Sequence, residues 1–186
     1  MKLALQLFAI TLLVILSGCT ERLGETDTGG IILEVEFDDS TFRVGVNDRD
    51  ILALDQVTID SIVSQPGGGS SSIMDVQLDT IELTYTRADT GTRVPVPFVY
   101  NVVGTVPAGG QLSYNGLPIM TVEQLRGEPL SDLLFQNGAV DSETGAQIIK
   151  VNVTMRVFGQ TLAGVEVAST PRSQTFEFVP SLTTVF

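Results

Sequence analysis

The chain has 186 residues, 43% of them hydrophobic, with 22 acids against 10 bases and a net charge of −12. That apolar content can fill one globular core and is too high for a disordered chain. The acidic excess repels phosphate backbones and anionic headgroups, which argues against nucleic-acid binding and polybasic membrane attachment.

The chain opens on Met1-Lys2 and an apolar run from Leu3 to Leu16, interrupted only by Gln6 and Thr11. The run is too short for a full membrane span, which needs about 20 residues, and has the length of a secretory h-region. The small pair Ser17-Gly18 follows, and then Cys19, the single cysteine of the chain. The quartet Leu16-Ser17-Gly18-Cys19 resembles the lipobox of bacterial lipoproteins. That resemblance implies removal of residues 1–18 as a signal peptide and a diacylglyceryl thioether on the Cys19 sulfur. It also implies acylation of the new amine, palmitate being a typical chain, so that the protein is anchored to a membrane through lipid and extracytoplasmic. Thr20, rather than an aspartate, is permissive for transfer to an outer membrane in that family. Acyl chains contribute about 0.8 kcal/mol per buried methylene, so several hold a protein firmly without a spanning helix. Residues 19–30, ending in "TERLGETDTGG", then read as a lipidated tether.

From Ile31 the dominant period is two, the mark of half-buried strands. Leu33, Val35 and Phe37 alternate with Glu34, Glu36 and Asp38, and Phe42, Val44 and Val46 with Arg43, Gly45 and Asn47. A further strand is expected over Val57 to Val63. "PGGGSSS" at 66–72 reads as a loop. The segment Met74 to Arg87 alternates with a phase shift between Leu78 and Ile81, which predicts a β-bulge. In Val94 to Phe98, Pro95 and Pro97 remove alternate donors, so this strand should begin at a sheet edge. Thr121-Val122-Glu123-Gln124 fits a capping box, with Met120 and Leu125 placed as a hydrophobic staple. Leu130 to Phe135 offers apolar turns stopped by Asn137-Gly138, so short helical turns are expected over residues 119–136. The longest alternation sets Ile149, Val151, Val153, Met155 and Val157 against Lys150, Asn152, Thr154, Arg156 and Phe158. Val165 to Val167 and Thr175 to Val179 are expected to form a hairpin-like pair, with a turn near Ala163-Gly164.

Eight or nine strands predict an all-β fold, an antiparallel sandwich occupying residues 31–186 as a single domain. "VFGQTLAGVEVAST" and "YTRADTGTRVPVPFVYNVVGTVPAGG" resemble segments of bacterial lipoproteins with an immunoglobulin-like β-sandwich. The resemblance implies that architecture and no active site. The tryptophan and paired cysteines of antibody domains are absent.

The chain contains no histidine, so Ser-His-Asp, Cys-His and histidine-ligated metal chemistry are not available to it. Lys150 lies on the polar side of its strand, where surface charge accounts for it. Glu34 and Glu36 share one strand face and are followed by Asp38-Asp39, which leaves a carboxylate-based glycoside hydrolase as one alternative. Such sites tend to include flat aromatic platforms, and this chain has no tryptophan and only Tyr85, Tyr100 and Tyr114, so a solvated strand face explains these acids better. Asn47-Asp48-Arg49-Asp50 groups hard oxygens as calcium does, giving a calcium-dependent ligand-binding module as another. The loop lacks the glycine and the distant glutamate of the full calcium motif, and an ordinary turn explains it. Asn152-Val153-Thr154 has the form of a glycosylation sequon but falls within a strand. Phe186 could end a membrane barrel, but Thr184, Leu182 and Pro180 make a poor last strand. The leading expectation is therefore a non-catalytic interaction or structural module with no cofactor. Its partners would be the membrane, through the anchor, and a protein or envelope component.

Overall fold

The computed structural model describes residues 30–37, 42–64 and 70–182. Cys19 and the segments around it, Asp38-Asp39, most of the glycine-rich loop and Phe186 lie outside them. The described residues contain nine strands: β1 (Ile31–Glu36), β2 (Phe42–Gly45), β3 (Leu52–Val63), β4 (Val76–Arg87), β5 (Phe98–Val106), β6 (Gln111–Met120), β7 (Ile149–Thr161), β8 (Glu166–Ala168) and β9 (Arg172–Val179). One short helix, α1 (Val122–Arg126), follows β6.

Two sheets face each other across one core. One has the order β1-β3-β6 and the other β2-β9-β7-β4-β5, with β8 also paired to β7. In both, alternate residues turn inward as the period-two pattern requires. Ile31, Leu33 and Val35 of β1 meet Ile149, Val151, Val153, Met155 and Val157 of β7 in the same buried cluster. Each fully buried aliphatic or aromatic side chain contributes about 1.5–3 kcal/mol. With the sole cysteine outside it, that cluster is what holds the described fold together.

The β4 bulge is present. Its register against both β5 and β7 shifts between Leu78 and Thr80, which returns Leu78 and Ile81 to the buried face. Across from the bulge, a Cβ on Gly159 would sit 2.5 Å from the Gln77 carbonyl oxygen, so only glycine allows β7 to approach β4 there.

The capping box also forms. Gln124 N–H donates to Thr121 Oγ1, and Thr121 N–H donates back to Gln124 Oε1 at 2.8 Å. Met120 and Leu125 beside it are fully buried. The helix terminus then joins the two layers. The Tyr85 hydroxyl of β4 donates to the Ile119 carbonyl of β6 at 2.6 Å, and Gln124 Nε2 donates to the Tyr85 oxygen and to the Val96 carbonyl. Burial pushes the Tyr85 hydroxyl up to about 12, opposed by its bond to Gln124, so it stays a donor at any physiological pH. Short 3₁₀ turns at Leu130–Leu133 and Phe135–Asn137 follow, ended by left-handed Gly138.

Three expectations need correction. The sandwich is not wholly antiparallel, because β2 runs parallel to β9. A chain crossing from β1 in one sheet to β2 in the other reaches that edge already pointing the same way as β9. Residues 165–167 and 175–179 do not pair with each other. Both lie along one edge of β7, β8 against Phe158–Gln160 and β9 against Ile149–Met155. The turn at Ala163-Gly164 closes β7 onto β8. Finally, the strand expected from Val94 starts only at Phe98, once both prolines are passed. It is nevertheless an edge strand, as the prolines predict.

Candidate functional site

The strand directions place chain segments at two opposite ends. Residues 46–51, 88–97 and 121–148 lie at the end where β4 finishes and β7 begins. There two long loops are drawn together by an ionic cluster. Arg87, at the end of β4, has only 3% of its side chain exposed, and Asp141 has none. They meet at 2.8 Å, and Arg87 Nε donates to Asp89 at 2.6 Å. Arg93 joins from the next loop, donating to Asp132 at 2.7 Å and lying 3.4 Å from the other Asp141 oxygen. Glu143 then accepts from Thr92 N–H, Thr92 Oγ1 and Arg93 N–H.

Every carboxylate in this cluster is held ionised. Burial works to raise the Asp141 carboxyl. The hydrogen bonds from Thr144, Arg87 and the Glu143 backbone, with the Arg87 charge, outweigh it and bring the group down to about 2. Asp89 and Asp132 are depressed in the same manner, burial opposing and donors from Arg87 or from Ser142 and Arg93 prevailing. Because the folded value of Asp141 lies below the ordinary carboxylate value of about 3.9, the stabilisation is complete above pH ~4 and lost as pH falls toward 2. The expected contribution is roughly 2 kcal/mol at neutral pH. Urea unfolding measured from pH 6 down to pH 2.5 should show that loss, and an Asp141→Asn chain should show a smaller one, left by Asp89, Asp132 and Glu143.

The calcium candidates are not brought together. The Asp48 carboxylate accepts from Ser181 Oγ and Leu182 N–H, tying down the segment after β9. Asp50 pairs instead with Arg126, 3.1 Å away. Among the described residues, no group of three or more acids, cysteines or histidines is arranged to hold a metal ion. Glu34 and Glu36 do share the outer face of β1, opposite Asp60 and Thr58 of β3. They border a shallow cleft of about 400 Å³ completed by Phe37, Thr170, Pro171 and Arg172. Lys150 is half-exposed and paired with Glu177 at 2.7 Å.

The larger concavity, about 890 Å³, runs across the outer face of β5, β4, β7 and β8. Its sides carry Gln77, Asp79, Asn101 and Gln160, and the Arg156 guanidinium lies 5.1 Å over the Phe158 ring. Val103 borders it with 88% of its surface exposed. Asp79, the extra residue of the β4 bulge, is exposed along this concavity. Sequence reading missed both the groove and the ionic cluster. The bulge was the only local sign of the groove, and the cluster had none.

No family model and no curated protein matches the chain. A solved chain described as "X-ray structure of Northeast Structural Genomics Consortium target SoR45" is similar over 86% of this chain and 94% of that one. Identity is 12% and the TM-score 0.33.

Proposed function

We propose that this protein is a lipid-anchored, extracytoplasmic module of the bacterial cell envelope, in the outer membrane, with an immunoglobulin-like sandwich that binds rather than catalyses. Cys19 carries the lipid, and the working surface is the outer face of the six-stranded sheet. The observation that carries the reading is the 890 Å³ groove. It offers amide side chains, an arginine stacked on a ring and an exposed valine, a mixture that recognises a protein segment or envelope component. The charged groups at the loop end support the non-catalytic part. Their arginines and carboxylates are closed on one another and on backbone donors, which suits a rigid support more than proton transfer. No helix among the described residues is long and apolar enough to cross a membrane.

The test is site-specific crosslinking in intact cells. A photoreactive side chain at Val103 should give a discrete adduct that disappears when Arg156→Glu is added. The same group at Gln56, on the other sheet, should give none. Identical adducts from both positions, or an adduct at Val103 indifferent to Arg156→Glu, would remove the groove from the proposal.

A further inference from the structure

The end of the sandwich opposite the ionic cluster has the reverse character. It is built from the start of β1, the end of β3, the 3₁₀ turn at Ser72–Met74, the β5–β6 turn and the β7–β8 turn. Residues 30–33, 61–64, 70–74, 105–112 and 161–165 include no charged side chain. Ile73 and Leu162 stand out from it, 59% and 58% exposed, and the paired Ile32 and Ile62 extend the patch along the outer face of the smaller sheet. These loops are fastened to one another. Ala163 N–H donates to the Ile73 carbonyl at 2.9 Å and Leu162 N–H to the Asp75 carbonyl at 3.0 Å. Ser64 N–H donates to the Gly30 carbonyl at 2.7 Å, and a Cβ on Gly30 would touch the Met74 side chain.

Gly30 is also where the chain arrives from Cys19. Ten residues lie between the two, and the eleven steps along the chain reach about 40 Å at full extension and no more. We infer that this uncharged end is a lipid-facing surface, docked on the bilayer with Ile73 and Leu162 at the headgroup boundary, while the ionic end points away. The inference rests on the anchored reading above. The charge distribution sets the orientation. A chain this acidic is repelled from an anionic surface wherever its carboxylates face it, and these loops carry only Asp75 among the described residues, its carboxylate turned onto the Ala108 N–H at 2.9 Å. Exposed apolar patches bordered by polar surface mark such contacts.

The experiment imposes the tether so that docking is read separately from acylation. The chain from residue 20, which contains every strand and no cysteine, carries an N-terminal polyhistidine tag and is held on phosphatidylcholine vesicles by a nickel-chelating lipid. A single cysteine replaces Ile73, Leu162 or Thr92 and bears an environment-sensitive fluorophore. At 73 and 162 the emission should move to shorter wavelength and be quenched about two-fold by nitroxide on the upper acyl chain, since a docked side chain sits about 5–10 Å into the boundary. At 92, on the ionic end, neither change should occur. Equal responses at all three positions, or none at 73 and 162, would overturn the inference. Mass spectrometry of the protein from membranes decides the anchor independently. An unmodified Cys19 beside a positive docking result removes the lipid and keeps the surface. An acylated Cys19 beside a negative one does the opposite.

Discussion

Replacing Asp141 with alanine should destabilise the protein by about 3–5 kcal/mol, because it leaves a buried guanidinium short of its charge partner. Arg87 is almost entirely enclosed and would retain Asp89 at 2.6 Å, with Glu143 only at 3.8 Å. The loss is large against a total stability of about 5–15 kcal/mol for a domain of this size. Removing the pair together, as Arg87→Met with Asp141→Leu, should cost much less than the sum of the single changes. Asp89 is then left one-fifth exposed on the Gly91 and Lys150 N–H groups, no fully buried charge remains, and the apolar replacements fill similar volume. Urea unfolding of the four chains measures the coupling. Additive losses would show that the two groups do not act as a pair. Amide exchange locates the effect: residues 88–97 and 127–148 should lose protection in Asp141→Ala, while β1 and β3, at the far side of the core, keep theirs.

The second large effect is expected at Phe178. It is fully buried in β9, its ring centroid 6.4 Å from that of Phe176, which stacks on Phe42 of β2 at 5.3 Å. Phe178 also sits between its register partners, Ile149 of β7 and Val44 of β2. Phe178→Ala removes the ring where two strands meet the core, and about 3–5 kcal/mol should be lost. Phe178→Leu keeps most of the volume and should lose about 1–2 kcal/mol. Urea midpoints report both, with unchanged slope if the fold is otherwise intact. A loss below 1 kcal/mol in the alanine chain would mean that the surrounding aromatics collapse into the space.

Much of the architecture was legible from residues alone. Alternation over Ile149 to Val157 located β7 and its buried face, because side chains of a strand must point alternately to either side. The phase slip between Leu78 and Ile81 located the bulge, since only an extra residue returns both to the core. The pattern Thr121 to Gln124 located the helix start, because that hydrogen-bond exchange spans three residues and nothing else. Apart from the late start of β5 after its two prolines, the cause of each error was partner choice. Val165 to Val167 and Thr175 to Val179 are strands as expected, yet nothing in their own side chains says that each lies beside β7 and not beside the other. The same holds for the parallel pairing of Phe42–Gly45 with Phe176–Val179.

The candidate surfaces were less visible for a related reason. Period, turn and cap signals are set by neighbours a few residues apart, and so the sequence by itself determined where most strands run, which of their side chains enter the core and that Cys19 follows an apolar run. Arg87 and Asp141 are separated by 54 positions, and Ile73 and Leu162 come from different loops. Only the tertiary structure decided that the first pair closes one end of the sandwich and the second marks the other. Strand direction alone carries distant loops to a common end, and charge or hydrophobicity then acts between groups that share no local pattern.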